Sequence, residues 1–189
     1  MRQKLSLISV NKSNQQLQPK MDLLFLFETG RLIVRKFTME DAEAFFQVNG
    51  NEEVMRYIRP VKSRDDSDAF LAENLRLYQD GSVVGRYAVF EKSSGSFCGS
   101  FSLLYLSGEA DFHIGYALLP AVWGIGFATE LVKAGIIHWF EKTNHASLYA
   151  ITESANAPSQ RVLLKTGFLP QSRLIENDKI VEHFYINRP

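Results

Sequence analysis

The sequence contains a single cysteine, Cys98, and no excess of charge of either sign. One cysteine excludes an intramolecular disulfide framework and any metal site built from paired CxxC cysteines. Because Cys98 lies in an apolar, strand-like run, we interpret it as a buried small side chain and not as a catalytic thiol. Lysine plus arginine equals aspartate plus glutamate at 21 each. The chain therefore lacks the basic excess with which nucleic-acid binders attract phosphates, and we expect no nucleic-acid partner.

Long hydrophobic runs are missing as well. No apolar run approaches the roughly 18 residues that a membrane span requires. The apolar stretch within the first ten residues is short and has no small-residue cleavage site within reach, unlike a signal peptide. These absences predict a cytoplasmic protein with no membrane partner. His138 and His145 have no partner at metal-ligand spacing, so we also expect no metal.

The chain nevertheless has enough apolar material for one well-packed domain. It has 189 residues, of which 46% are hydrophobic, and this fits a single domain with a sizeable core. Residues 11–20 are polar and have no periodicity. We therefore predict a flexible N-terminal extension over residues 1–20 and one domain over residues 21–189.

The spacing of apolar residues predicts an alternation of strands and helices. Strands are predicted at residues 31–35, 84–91, 97–106, 109–118, 147–153, 168–175 and 180–186. Helices are predicted to start at the capping residues Thr38 and Ser63, and to span residues 126–140 and 158–166. This order predicts an α+β fold in which a mixed sheet of about seven strands is covered by about four helices.

The most informative segment is the loop at residues 123–129, which reads Trp-Gly-Ile-Gly-Phe-Ala-Thr. A strand ends there, two glycines follow at a spacing of two, and a helix begins at once. Glycines let the backbone approach a ligand closely, and the first turn of a helix offers unpaired N–H groups to an anion. A plain strand-to-helix turn that needs positive φ explains the glycines equally well. No Lys-Ser/Thr follows them, which excludes a P-loop, and Gly-x-Gly-x-Ala differs from the dinucleotide fingerprint.

The loop resembles the acetyl-CoA signature of the GNAT superfamily of N-acetyltransferases, Gln/Arg-x-x-Gly-x-Gly/Ala, with Trp123 in place of the first residue. That substitution makes it similar to the branch that contains the ribosomal-protein N-terminal (alanine) acetyltransferases. Four further segments resemble the branch in order and spacing: residues 28–35, 113–116, 156–159 and 165–168. The resemblance covers roughly residues 27–187. It implies a single α/β/α-like domain with a twisted, largely antiparallel sheet, and acetyl-CoA as the co-substrate.

The resemblance also implies which residues hold the donor. Backbone N–H groups of the glycine loop would hold the pyrophosphate, and the main chain of the preceding strand would pair with the pantetheine arm and polarise the acetyl carbonyl. The side chain of Asn156 would hydrogen-bond the pantetheine arm. The implied cofactor-binding residues are Tyr116, Ala117, Leu118, Gly124, Ile125, Gly126, Phe127, Ala128, Thr129 and Asn156.

Acetyl transfer to an amine requires a group that removes a proton from the nucleophile. His113 is the first candidate, because it lies where related enzymes often carry a carboxylate and because an imidazole titrates near neutral pH. A strand histidine with no catalytic role is the alternative. Asp111 shares the strand face of His113 by alternation, and Glu153 is a weaker candidate.

The leaving thiolate requires a proton donor. Much of the superfamily uses a tyrosine on the short helix, but the matching residue here is Leu163, which cannot donate a proton. Ser159 is the substitute in the resembling branch. The alternative is that Ser159 only satisfies the donors at the start of the helix.

Together these features predict an N-acetyltransferase that moves an acetyl group to a primary amine, either a protein N-terminus or a small amine, by direct attack in a ternary complex. The alternative is a catalytically silent acyl-CoA-binding or sensing module of the same fold, because the expected tyrosine and carboxylate are absent. The resemblance also implies that residues 57–60 shape the acceptor groove, because this region covers the substrate side in the family. A neutral net charge favours no acceptor class, and the sequence is compatible with a monomer or a homodimer.

Overall fold

The computed structural model describes residues 24–78, 82–106, 111–176 and 179–189. The described residues form eight strands and five helices, together with short 3-10 turns at Met39–Asp41 and Pro120–Val122. The strands are β1 Phe25–Glu28, β2 Leu32–Lys36, β3 Gly85–Glu91, β4 Phe97–Tyr105, β5 Phe112–Leu118, β6 Ser147–Glu153, β7 Leu169–Glu176 and β8 Lys179–Asn187. The helices are α1 Ala42–Asn49, α2 Glu52–Met55, α3 Arg64–Leu77, α4 Phe127–Lys142 and α5 Ala157–Lys165.

The strands form one mixed sheet in the order β1-β2-β3-β4-β5-β6-β8-β7. Neighbouring strands run antiparallel except β5 and β6, which are parallel and share the single register pair His113 and Tyr149. By contrast, β4 and β5 are paired along the whole length of β5. Strands β5 and β6 therefore separate beyond His113, and the sheet opens there towards their carboxyl ends.

Helices cover both faces of the sheet. Helix α4 packs on one face over the largest core cluster, and Gly135 lets it approach so closely that an added Cβ would meet the Phe101 ring at 2.6 Å. Helices α1 and α3 cover the other face around a smaller cluster that contains Phe37, Phe45 and Leu71. This layering confirms the predicted α/β/α-like arrangement. None of the described helices has the length and apolar character that crossing a membrane would require.

Most predicted elements are confirmed to within a few residues, and β6 has the predicted bounds. Local capping explains this agreement. The Ser63 hydroxyl accepts a hydrogen bond from the Asp66 N–H at 3.2 Å, and Gly167 ends α5 with a φ of 96°. Cys98 is buried, and burial raises the pKa of its thiol, as expected for a structural side chain.

Two elements were missed by the sequence patterns. Strand β1 and helix α2 have four residues each, which is too short for an apolar period to be recognised. The signal for α2 is its cap, because Asn51 Oδ1 accepts from the N–H groups of Glu53 at 2.9 Å and Val54 at 3.1 Å. The proposed extension at residues 1–20 lies outside the described residues.

Candidate active site

A cavity of about 1800 Å³ opens where β5 and β6 separate. Its walls include the second half of β5, the second half of β6, the glycine loop, the start of α5 and the segment that follows α2. Of the site residues predicted from the sequence, all except Ile125 and the alternative base Asp111 line this cavity. The fold therefore brings the candidate donor-binding and catalytic residues together in one place.

The glycine loop presents a row of free backbone donors. Gly124 and Gly126 adopt φ values of 77° and 88°, in the left-handed region that favours glycine. The first hydrogen bond of α4 runs from the Glu130 N–H to the Gly126 carbonyl at 3.1 Å. The six consecutive N–H groups from Gly124 to Thr129 have no partner among the described residues. They lie at the positive end of a 16-residue helix, an arrangement that suits an anion.

A clamp formed by Arg31 and Glu130 holds this loop. Arg31 lies in the turn between β1 and β2, and its Nη1 donates to the Ile125 carbonyl at 3.0 Å. Its Nε and Nη2 each lie 2.7 Å from Glu130 Oε2, and its guanidinium carbon lies 4.6 Å from the centre of the Phe127 ring. In a trans peptide the C=O and the following N–H point in opposite directions. Fixing the Ile125 carbonyl therefore turns the Gly126 N–H away from Arg31.

Both oxygens of the Glu130 carboxylate take part in the clamp. Glu130 Oε1 accepts hydrogen bonds from the Arg31 N–H at 2.8 Å and from the Thr29 hydroxyl. Burial raises the pKa of Glu130, but the hydrogen bonds from Thr29 and Arg31 outweigh it and hold this pKa below its usual range. The carboxylate is therefore ionised at neutral pH and the clamp is intact there.

Trp123, the residue that departs from the signature, ties the loop to the end of β5. Its indole N–H donates to the Leu118 carbonyl at 2.7 Å. The side chain is half exposed at the rim of the cavity, where it makes this hydrogen bond, and it is not packed in the core. The indole thus anchors the start of the loop with a neutral donor.

Strand β5 directs two backbone N–H groups into the opening. The Leu119 N–H donates to the Cys98 carbonyl at 2.8 Å, and alternate residues of an antiparallel strand bond to the same partner. Ala117 therefore bonds to β4, whereas the N–H groups of Tyr116 and Leu118 face β6. For main-chain pairing with a ligand, this alternation favours Tyr116 and Leu118 over Ala117.

His113 lies on the face of β5 that α1–α3 cover. Burial, reinforced by the positive charge of Arg86, lowers the pKa of His113 to about 4, although a hydrogen bond with the Tyr105 main chain opposes the shift. Its Nδ1 is buried and has no hydrogen-bond partner among the described residues. The expectation that this imidazole titrates near neutral pH is therefore wrong: it is neutral across the physiological range.

The two alternative bases have different surroundings. Asp111 is exposed, precedes β5 and does not line the cavity. Glu153 lines the cavity but forms an ion pair with Lys179 of β8. No three His, Cys, Asp or Glu side chains gather as metal ligands in the part of the chain that the structure describes.

The hydroxyl groups of Tyr116 and Ser159 lie in the part of the cavity that the glycine loop and α5 line, which we call the donor half. Asn156 caps α5 by accepting from the Ser159 N–H at 3.3 Å, so the Ser159 hydroxyl is not needed as the cap. Instead, Ser159 Oγ accepts from the Tyr116 hydroxyl at 3.4 Å. Burial raises the pKa of Tyr116, although the hydrogen bond with Ser159 opposes the shift. The sequence analysis assigned a role only to the main chain of Tyr116. The side chain could have been found from strand alternation, because Tyr116 lies two residues after Ile114 and therefore on the same, α4 side of β5.

The acetyltransferase (GNAT) domain family matches residues 31–169 of the chain. The uncharacterized N-acetyltransferase YoaA of Bacillus subtilis is 30% identical over 146 residues, which cover 76% of this chain and 82% of that protein. The uncharacterized N-acetyltransferase p20 of Bacillus licheniformis is 30% identical over 157 residues, or 80% of this chain and 86% of that protein.

Solved structures share the fold at lower identity. RimL, a ribosomal L7/L12 α-N-protein acetyltransferase in complex with coenzyme A, has a TM-score of 0.74 at 16% identity and covers 86% of this chain and 97% of its own. Spermidine N-acetyltransferase from Vibrio cholerae, in complex with CoA and spermine, has a TM-score of 0.71 at 19% identity and covers 82% and 95%. These similarities show the same arrangement of strands and helices.

The clamp predicts that Arg31→Ala weakens binding of coenzyme A. Without Arg31, the Ile125 carbonyl is no longer held and the loop loses its fixed shape, so we expect the dissociation constant to rise about tenfold, or about 1.4 kcal/mol. Calorimetric titration measures this change. Arg173→Ala, which removes an exposed arginine from an ion pair with Glu182 outside the cavity, is the matched control. Equal affinities for the two variants would contradict the role of the clamp.

The lowered pKa of His113 predicts a loss of stability in mild acid. The unfolded chain takes up a proton at this imidazole near pH 6.5, whereas the folded protein does so only near pH 4. The free energy of unfolding therefore falls as the pH drops through this interval, by up to about 3 kcal/mol. We expect urea denaturation of His113→Gln to show a flatter pH dependence than the wild type. His145→Gln, at an exposed position, should retain the wild-type slope, and the same slope in both variants would refute the assignment.

Proposed function

Because the chain belongs to the GNAT acetyltransferase family, we propose that it moves an acetyl group from acetyl-CoA directly to a primary amine while both substrates are bound. The observation that carries this proposal is the single cavity at the opening between β5 and β6. It extends from the glycine loop to the segment after α2, on the other face of the sheet. Donor and acceptor can thus meet at β5 without a covalent enzyme intermediate.

The donor half fits the diphosphate of coenzyme A. Six free N–H groups at the positive end of α4 match two adjacent negative charges. Arg161 and Lys165 of α5 line the same half and add positive charge. Asn156 can donate through Nδ2 while its Oδ1 caps α5. The bound co-substrate supplies an activated acetyl thioester.

The N–H groups of Tyr116 and Leu118 would hold the extended part of the donor. Both face the opening, as an added strand requires. A backbone N–H at this edge can also polarise the acetyl carbonyl, because a fixed donor stabilises negative charge that develops on oxygen. We assign no separate oxyanion residue, since the strand edge already offers these donors.

His113 is proposed to accept the proton of the amine, directly or through water. It is neutral at physiological pH, and its buried Nδ1 has no partner among the described residues, so this nitrogen can accept a hydrogen bond once the amine or a water molecule reaches it. A base with a pKa of about 4 is too weak to deprotonate an ammonium ion, so the acceptor attacks as the neutral amine, after its ammonium form has lost a proton to water. As the lone pair forms the new bond to the carbonyl carbon, the nitrogen becomes far more acidic, and a weak base suffices to take its second proton.

Tyr116 and Ser159 are proposed to return a proton to the leaving sulfur. The raised pKa of Tyr116 keeps its hydroxyl protonated, and Ser159 lies within reach as a relay. In this arrangement the tyrosine comes from β5, whereas Leu163 of α5 is buried in the core. The absence of a tyrosine on α5 therefore does not leave the site without a donor.

A silent acyl-CoA-binding module is the second candidate, and Leu163 is the observation that favours it. Release of free thiol from acetyl-CoA, measured with a panel of amines, separates the two. An acetyltransferase consumes the co-substrate in proportion to the amine acetylated. A module that binds coenzyme A but releases no thiol above the hydrolytic background with any amine would refute the enzymatic proposal.

We expect Tyr116→Phe to lower kcat at least tenfold with little change in the KM for acetyl-CoA. The reason is that a positioned acid typically contributes a factor of about 10² to 10⁴. Because the two hydroxyls act together, the double variant with Ser159→Ala should be scarcely slower than Tyr116→Phe alone. Tyr185→Phe, outside the cavity, is the control. Wild-type kcat in Tyr116→Phe would exclude the tyrosine as the acid.

A further inference from the structure

The acceptor half of the cavity contains two arginines, Arg59 and Arg86, without a carboxylate partner among the described residues. Arg59 donates from Nη2 to Asn49 Oδ1, and its Nε is buried without a partner there. The guanidinium of Arg86 packs on Phe70 and makes no ion pair with any described residue. Several donors of both side chains therefore have no partner among the described residues, and those other than the buried Arg59 Nε remain available to a ligand.

The two guanidinium groups share one aromatic neighbour. Their carbons lie 4.8 Å and 4.4 Å from the centre of the same Phe70 ring, so they are at most about 9 Å apart. The Lys62 ammonium lies 4.7 Å from that ring centre. Burial, together with the charge of Arg59, lowers the pKa of Arg86 to about 10, which still leaves it charged at neutral pH. Three positive groups thus gather around one ring; Glu73 of α3 acts on Arg86 electrostatically but forms no ion pair with it, so a bound anion would reduce the remaining repulsion.

Two buried asparagines hold these arginines in place. Asn74 of α3 accepts from the Arg86 N–H at 2.8 Å and donates to the Arg86 carbonyl at 3.0 Å. Strand β2 ends opposite Tyr87, so the amide of Asn74 replaces the strand that Arg86 lacks on that side. On α1, Asn49 donates to the Phe45 carbonyl at 2.7 Å while it accepts from Arg59. Asn74 thus fixes the main chain of Arg86, and Asn49 fixes the side chain of Arg59, so both arginines are pre-organised for binding.

The sheet register places Arg86 close to the reaction centre. Arg86 of β3 is paired with Ser102 of β4, which is paired with Gly115 of β5. These three residues form a row across the sheet, and all of them line the cavity. Two strand spacings amount to roughly 10 Å, and an arginine side chain shortens the remaining gap. A small acceptor with an amine and an anion a few bonds apart can span it.

We propose that the acceptor amine carries an oxyanion, a carboxylate or a phosphate, which Arg59 and Arg86 bind while the amino group faces β5. This inference rests on the proposed acetyl transfer and specifies its substrate class. Guanidinium groups bind both oxyanions through paired N–H donors. A polyamine is disfavoured at this position, because its positive charges would meet Arg59, Lys62 and Arg86. The acidic residues Glu52 and Glu53 are exposed at the cavity wall and form no ion pair with either arginine.

Matched pairs of amines test the proposal. One member of each pair carries the anion and the other lacks it: glycine and glycinamide, β-alanine and β-alaninamide, γ-aminobutyrate and its amide, phosphoethanolamine and ethanolamine. Because the anion also raises the pKa of the amine, rates are compared per concentration of neutral amine. Thiol release should give a kcat/KM at least tenfold higher for the anionic member of one pair or more, and the best pair reports the spacing and the kind of oxyanion. Spermidine should be the poorest acceptor. Neutral members or spermidine that react as well as every anionic member would overturn the inference and leave acetyl transfer intact.

Substitution of Arg86 links this preference to the site. We expect Arg86→Gln to raise the KM of the preferred anionic amine at least tenfold, while the KM of acetyl-CoA changes less than twofold and the kcat/KM of the matched neutral amine does not fall. Arg86→Lys should retain part of the preference, because it keeps the charge but not the paired donors. Arg76→Gln, at an exposed position on α3 outside the cavity, is the control. An equal loss with both members of the pair, together with a lower melting temperature, would show that Arg86 is structural and overturn the proposal.

A binding measurement separates failure of this inference from failure of acetyl transfer. If no amine releases thiol, the acetylated compounds N-acetyl-β-alanine and N-acetyl-β-alaninamide can still be titrated into the protein. The carboxylate should raise the melting temperature of the wild type but not of Arg86→Gln, and the amide should raise neither. No difference between the two compounds in the wild type would overturn the oxyanion site.

Discussion

The carboxylate of Glu130 connects parts of the chain that are about a hundred residues apart in sequence, and the proposed donor site depends on this connection. Arg31 reaches from the turn between β1 and β2 to Glu130 and to the Ile125 carbonyl. The glycines at 124 and 126 can adopt the positive φ values of the loop, but glycine can adopt many other conformations as well. The clamp selects one of them, in which the six N–H groups of residues 124–129 have no partner among the described residues. The segment around Thr29 and the glycine loop thus form one structural unit.

The break in the sheet has a comparable role for the acceptor. A single register pair between β5 and β6 leaves the edge of β5 unpaired, and the cavity reaches both faces of the sheet through this opening. The face under α4 and α5 supplies the anion-binding loop and the hydroxyl pair. The face under α1–α3 supplies His113 and the two arginines. Strand β5 belongs to both halves, so its side chains alternate between donor and acceptor chemistry.

The sequence predicted what depends on local pattern. Periodicity identified β3 to β8 and α4, and glycine spacing identified the turn that starts α4, whereas the assignment of this loop to the donor came from the family resemblance and stays a prediction. The sequence patterns failed where tertiary contacts decide. The pKa of His113 depends on burial and on Arg86, which lies 27 positions earlier on another strand. The pairing of Tyr116 with Ser159 depends on how α5 packs against β5. An overall net charge of zero hid the local excess of positive charge around Phe70, because charges cancel along the chain while sites are built in space.

Arg86 links the choice of acceptor to the proton transfer. In the free protein its charge, together with burial, holds the pKa of His113 near 4, which keeps the imidazole neutral but makes it a poor base. An oxyanion bound at Arg86 would offset that charge and raise the pKa of His113 towards its ordinary value. The base would then gain strength when an anionic acceptor occupies the site. A neutral amine would not offset the charge of Arg86, so the pKa of His113 would stay low. Arg86 would therefore discriminate between acceptors in two ways, by binding the anion and by its effect on the strength of the base.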